Sequence, residues 1–455
     1  MKIIPMFAVA ALAACQLAYA AASPEELKQL GTSLTPWGAV KAGNAGGTIP
    51  AYTGGLPPST APAGFVKNSG KWPDPFADDK PLYSISAKNA DEYADQLSET
   101  TKALLKRYPA YRLDVYPTRR SVAYPQQVND ESLKNATRCK TIEGGVAIEG
   151  CFGGTPFPIP KTGYEVMWNM QLQYRGVAVD QHSRGWYVDT SGRRILTAEY
   201  NAAFDYPYHD PKSSIEKFST SDEHFYRALN TFTAPAKQVG EAILLMNSVN
   251  PVKYPKMMYV YTTAQRRVRL APDLAYDYPL TSLGGAFNFD DSQLFLGMMD
   301  RFDFKLVGTR EMIIPYNNYK LDNAKGEDLV QPNYLNPDLV RWELHRVRIV
   351  EATLKPGRRH IYSKRRFYLD EDAPGTGMTD NWDAAGKIYR GLFMGITQAW
   401  DMQTPITYTH WGYDLSTGIY GFSSAFGDTR GVFFRNEARP ASYYTPEALV
   451  RQSAR

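Results

Sequence analysis

Histidine is the side chain that most often holds a metal or moves a proton near neutral pH, and this sequence has six, at positions 182, 209, 224, 345, 360 and 410. None forms an H-x-H or H-x-x-x-H pair, the spacings that put two imidazoles on one strand or helix face, so a zinc hydrolase has no support. No G-x-S-x-G elbow is present, which removes the common esterase nucleophile. Gly43-Asn44-Ala45-Gly46-Gly47 is glycine-rich, but it lacks the Lys-Ser/Thr ending of a phosphate loop and reads as a turn. The carboxylate pairs Asp290-Asp291 and Glu371-Asp372 fall at turns or helix starts, where solvated capping is the expected role. Glycosidase chemistry would need two facing carboxylates, a relation that spacing does not establish. These residues therefore assign no catalytic group, no cofactor and no metal, and they point to a binding protein rather than an enzyme.

Export is read from the amino terminus. Lys2 precedes an apolar stretch from Ile3 to Leu17 that is too short to span a bilayer and ends in Ala18-Tyr19-Ala20, the pattern of a secretory signal cleaved after residue 20. Leu12-Ala13-Ala14-Cys15 offers a second reading, a lipoprotein signal over residues 1–14 with Cys15 lipidated. Either way the mature chain is exported, and the two remaining cysteines, Cys139 and Cys151, flank a segment with a Gly144-Gly145 turn. In an oxidising compartment such a pair is expected to form a disulfide.

The elements that must position any site are mainly strands. The 455 residues carry 31 Tyr, 20 Phe and 8 Trp, types that favour strands, together with 31 Pro and 35 Gly for turns. The net charge of +4 is small and its signs are mixed, which excludes the concentrated basic face of a nucleic-acid protein. Even the densest basic run, Arg358-Arg359 to Lys364-Arg365-Arg366, is followed by Asp370, Glu371 and Asp372 and reads as a solvated strand face. Three parts are expected: the signal, an extended Pro/Gly-rich segment over residues 21–85, and a main domain over residues 86–455. Ser23 to Gly31 reads as a short capped helix, and Trp37, Tyr52 and Trp72 would anchor the extended segment by burial. Further helices are expected over 88–107, 130–136, 164–173, 291–300 and 383–392. Strand pairs are expected at 111–116 with 120–124, 186–190 with 193–204, 257–262 with 266–270, and 346–354 with 360–369 through a Pro356-Gly357 turn. A strand over 302–315 and a hairpin at 413–420 complete a long antiparallel sheet with helices on one face.

Such a sheet encloses a concave apolar space. Trp168, Met257, Met258, Tyr259, Tyr261, Phe302, Phe304, Met312, Phe367 and Tyr368 are candidates for its wall, with ordinary core packing as the competing explanation for each.

Five strings carry a family resemblance: LTPWGAVKAGNAGGTIPAYTGG (34–55), DPFADDKPLY (74–83), GGTPFPIPKTGYEVMWN (153–169), DRFDFKLVGTREMIIPYNNYKL (300–321) and VEATLKPGRRHIYSKRRFYLDED (350–372). They resemble the bacterial DUF1329 family, which is grouped with the LolA- and LolB-like carriers of outer-membrane lipoproteins. MYVYTTAQRRVRLAP (258–272), with Arg266, Arg267 and Arg269, is similar to a basic strand-turn-strand of that wider group. The resemblance implies a β-rich α+β fold: an incomplete antiparallel β-barrel of about eleven or more strands, with helices covering an apolar cavity and a Pro/Gly-rich amino-terminal wrap. It implies a periplasmic carrier or accessory protein for a hydrophobic or lipid-like molecule, associated with the outer membrane. Its implied partners are a DUF1302-type outer-membrane protein and an RND-type exporter. The chain is more than twice as long as LolA, so its wrap and insertions are expected to reshape the cavity. An exported enzyme and an outer-membrane-integrated barrel are the alternatives from other classes.

Overall fold

The computed structural model describes residues 22–424 and 427–453. The two readings of the amino terminus, cleavage after Ala20 and lipidation of Cys15, fall outside the described residues.

Alternating apolar residues build two antiparallel meanders. The first comprises β1 (Ala178–Val188), β2 (Arg194–Asp205), β3 (His224–Ala234), β4 (Ala242–Ser248), β5 (Met257–Thr262) and β6 (Arg267–Leu270). The second comprises β7 (Phe302–Pro315), β8 (Arg341–Leu354), β9 (Lys364–Asp370), β10 (Gly377–Trp382), β11 (Ile388–Met394), β12 (His410–Asp414) and β13 (Tyr420–Ser424). β13 pairs antiparallel with β1, Phe422 opposite Trp186, and fuses the meanders into one sheet, which with its short flanking strands has 16 strands. The path ends at Tyr83–Ile85 on one side and at β6 on the other, β7 lies off it paired with β8, and among the described residues β6 and β7 do not pair with each other. Among the described residues the sheet is therefore the expected incomplete barrel, and the closed membrane-integrated barrel is not formed.

Both faces of the sheet are covered. On β9, Phe367 and Leu369 enter one apolar cluster, with the helix Gly163–Gln171 and residues 283–299, while Tyr368 between them enters another, with the amino-terminal wrap and the helix Glu99–Arg107. A third cluster joins the outer face of β3 to β5 to the carboxy-terminal helix Pro446–Ser453 through Leu229, Leu244, Tyr261 and Leu449. Helices thus lie on both faces of the sheet rather than on one, because both carry apolar residues.

The wrap is anchored by its aromatic residues and by its backbone. Trp37 and Trp72 are buried, Trp37 meets Tyr124 edge-on at 4.9 Å, and the Trp72 indole N–H donates to Asp401 at 2.7 Å. Three arginines of the main domain donate to its carbonyls: Arg348 to Gly38 at 2.6 Å, Arg120 to Val40 at 2.8 Å and Arg346 to Ala42 at 2.9 Å. Gly38 has φ +90°, and a Cβ there would stand 1.7 Å from the Pro158 carbonyl oxygen, so only glycine permits this approach.

Several local expectations are altered by tertiary partners. The amino-terminal helix is only Pro24–Leu27, held by a Ser23/Glu26 capping box. The helix expected over 88–107 breaks at Leu97 into a 3-10 stretch and Glu99–Arg107, because Ser98 caps a new start and the Asp380 carboxylate accepts the N–H groups of Glu99 and Thr100. Of the strand pair at 111–124 only Leu113–Val115 forms, pairing with Tyr83–Ile85 and running parallel to Arg341–Trp342. Residues 291–300 contain no α-helix, and 383–392 is a turn leading into β11, since Asp383 accepts the N–H groups of Ala385 and Lys387. By contrast, Phe302–Pro315 has the expected bounds, and Gly357, at φ +76°, makes the expected turn from β8 to β9.

Candidate functional site

The inner faces of β1 to β5 and the overlying residues 280–296 bound a cavity of about 130 Å³. Strand alternation decides its wall. Tyr226, Ala228, Asn230 and Phe232 on β3 point inward, as do Ile243 and Leu245 on β4 and Met258 on β5. Phe204 comes from β2, and Leu283 and Leu296 close the space from above. Wider clefts of about 740 and 790 Å³ open on the surface, one beside Phe76 and Arg341 and the other beside the carboxy-terminal helix. Charged residues such as Asp79, Lys320 and Arg451 line them. The smaller aromatic-walled space is the better match to an apolar ligand.

Titratable groups share this wall. The Lys256 ammonium donates to the Leu296 carbonyl at 2.7 Å, and burial brings its pKa down to about 8, opposed by the nearby Asp290 carboxylate. Burial also brings His410 down to about 4, which keeps its ring neutral at pH 7. The Tyr408 hydroxyl shares a hydrogen bond with the Tyr206 hydroxyl at 3.0 Å.

The segment over the cavity is tied to the sheet by buried charge. Arg365 on β9 donates to Asp290 at 2.9 Å and to Asp291 at 2.7 Å; His360 reaches Asp290 at 2.9 Å, and the Tyr362 hydroxyl donates to Asp291 at 2.8 Å. Burial opposes the Asp290 charge, but Arg365 and His360 outweigh it and hold its pKa at about 2. Asp291 caps as expected by accepting the Asn288 N–H, but both carboxylates are buried, so the solvated part of that expectation is corrected; in the basic run Arg358 and Arg359 are exposed as expected, whereas the Arg365 side chain is 0% exposed. Lysine or arginine cannot be buried this way without a partner, and the pair at 290–291 supplies one from far along the chain.

Glu371-Asp372 is likewise buried. Arg120 grips Asp372 through two hydrogen bonds, at 2.8 and 2.7 Å. Next to it, His345 lies between Glu343 at 3.1 Å and Asp370 at 3.4 Å and stacks on Tyr316 at 3.8 Å. Burial alone would depress its pKa, but the two carboxylates raise it to about 9. Oxygens of Asp370 and Asp372 and a nitrogen of His345 lie within 4.8 Å of one another, the spread of a metal site. Both imidazole nitrogens nevertheless face carboxylates, and Asp372 is taken by Arg120. The chemistry is that of an ion-pair network binding the wrap to the sheet.

The structure distributes the residues proposed for the cavity wall over all three apolar clusters. Phe302, Phe304 and Phe367 pack with Phe295 in a closed core, with ring centroids 5.7 to 6.4 Å apart. Trp168 donates to the Gly145 carbonyl at 2.9 Å and packs near Phe225. Met312 lies in the cluster under the wrap, and Met257, Tyr259 and Tyr261 belong to the cluster at the carboxy-terminal helix. Met258 alone lines the cavity, because its register is one residue away from theirs. Arg266, Arg267 and Arg269 are exposed at the turn and on the edge strand β6, where charge discourages further strand pairing. Cys139 and Cys151 form the expected disulfide at the base of the hairpin Lys140–Ile142 and Ala147–Glu149. Gln181, Asn230, Lys256 and Gln293 also line the cavity; the signal for Gln181 and Asn230 is a polar residue on an inward strand register, visible only once the face is known, and Lys256 and Gln293, outside the strands, carry none.

Comparison with known proteins identifies the lineage. A model of the family described as "Protein of unknown function (DUF1329)" matches residues 84–450. An uncharacterized protein of Pseudomonas aeruginosa, PA3922, is 38% identical over 449 residues, 96% of this chain and 95% of that protein. Among solved structures, a putative outer membrane lipoprotein-sorting protein domain from Vibrio parahaemolyticus aligns at 13% identity and TM-score 0.43, over 64% of this chain and 98% of that one. A DUF1329 family protein from Desulfovibrio piger aligns at 14% identity and TM-score 0.42, over 63% and 97%. The family match over most of the length and the full-length relative together establish that this chain belongs to the DUF1329 family.

Proposed function

We propose that this protein is a periplasmic carrier or accessory protein that shelters part of a hydrophobic or lipid-like molecule and passes it to a membrane partner. The observation that carries this reading is the partly open space of about 130 Å³ between the inner sheet face and residues 280–296, walled by Phe204, Phe232, Leu245, Met258 and Leu296. Affinity would come from apolar area at roughly 25 cal/mol per Å². Movement of residues 280–296 would widen the space for entry and release, and a partner that binds the moved form would drive transfer. A DUF1302-type outer-membrane protein and an RND-type exporter are the partners we propose, in line with the resemblance. Catalysis is no part of this reading, since the cavity wall is mainly aromatic and aliphatic.

Delipidated protein titrated with a fluorescent fatty acid should show saturable binding near one per chain, and native mass spectrometry should detect co-purified lipid. No saturable binding and no recovered lipid would overturn the proposal.

A further inference from the structure

Three amide side chains interrupt the apolar wall of the cavity, and each leaves its oxygen without a hydrogen-bond partner: Gln181 Oε1, Asn230 Oδ1 and Gln293 Oε1. Gln181 is only 6% exposed, and its amide nitrogen already donates to the Ser183 hydroxyl. A buried polar atom left unpaired is costly, so three around one small space call for an explanation.

Strand register shows how they are arranged. Gln181 on β1 lies opposite Ala202 on β2, and Ala202 lies opposite Asn230 on β3. Residues paired in this way share a sheet face, so the two amides flank a methyl group in one row and leave a notch between them. Gln293 belongs to the segment above, with φ +53°, next to Leu294 at φ +68°. Two successive non-glycine residues in the left-handed region are held there by their surroundings.

We infer that the molecule taken into this cavity presents hydroxyl groups to it, on a ring or short branch of about benzene size. This rests on the carrier reading and specifies its ligand class. The volume, about 130 Å³, is slightly below the roughly 150 Å³ that suits a benzene molecule. A hydroxyl donates to an amide oxygen and also accepts from an amide N–H, so it satisfies these side chains in either orientation. A plain hydrocarbon satisfies none of them. A carboxylate fits less well, because when ionised it only accepts hydrogen bonds and so leaves the three amide oxygens unpaired.

The test uses the full mature chain with its disulfide intact. Phenol and benzene are titrated by ligand-observed NMR, with a fluorescent fatty acid as reference probe. Phenol is expected to bind at least about tenfold more tightly than benzene, and Gln181→Met with Asn230→Leu should erase or reverse that ratio. Should the double variant fail to fold by circular dichroism, each single variant is expected to reduce the ratio. Equal binding of the two rings, binding of the fatty acid but of neither ring, or a ratio unchanged in the variants would overturn the inference and leave the carrier reading standing. No saturable binding of any of the three probes would overturn both.

Discussion

At the residue scale, His345 is the group whose charge should be visible in stability. Its folded pKa of about 9 lies above the ordinary value of 6.5 because Asp370 and Glu343 outweigh the effect of burial. A raised imidazole pKa contributes stability that is fully present below about pH 6.5 and is lost as pH rises through about 9. The loss is bounded at about 3 kcal/mol by the conversion of roughly 1.4 kcal/mol per unit. Chemical denaturation at pH 6, 8 and 10 should show this decline, and His345→Gln should flatten that component of it. A profile with equal slope in the variant would place the titration elsewhere. Asp322 supplies a contrast: burial raises its pKa to about 7, although Thr409 and Thr397 donate to it. A raised carboxyl pKa removes stability as pH climbs from about 4 toward 7, so Asp322→Asn should be more stable than the parent at pH 8. Neither behaviour could be read from the sequence, because Asp322 and its two threonines come together only in the fold.

At the element scale, Arg365 is the tie that neutralises both carboxylates of the segment above the cavity. Arg365→Leu strips Asp290 and Asp291 of their partner in a dry site, where breaking a buried pair costs about 3–5 kcal/mol. Limited proteolysis should then cut within residues 271–301 well before the rest of the chain. Uniform resistance of the variant and the parent would show that other contacts hold the segment. The hairpin at 140–149 is stapled by Cys139 and Cys151, and replacing both cysteines with serine should lower stability by roughly 3 kcal/mol through loop closure, measured by denaturant unfolding. Strands and turns were the most legible elements. The run 302–306 alternates apolar and polar residues, and the Pro356-Gly357 pair marks its own turn. Helical windows at 291–300 and 383–392 misled because short periodic runs carry no information about the strands waiting beside them.

At the scale of the whole molecule, the wrap and the sheet are one unit. Removing residues 22–55 would leave Arg120, Arg346 and Arg348 without their carbonyl acceptors and uncover the aromatic cluster at Tyr124. The truncated chain should melt about 5 °C or more below the parent by differential scanning calorimetry; an unchanged midpoint would make the wrap a passive extension. Composition and local pattern were enough to determine that this chain is strand-rich, turn-rich and stapled by one disulfide, because those properties follow from residue type and near-neighbour spacing. The family resemblance, too, was carried by contiguous strings. Which residues face the cavity was decided only by tertiary structure. A strand's two faces are equivalent in sequence when both are apolar, and on β5 a single step of register separates Met258 in the cavity wall from Tyr259 under the carboxy-terminal helix. The charge networks were decided there as well, since Asp290 and Arg365, 75 positions apart, meet only when the second meander closes against the segment that precedes it.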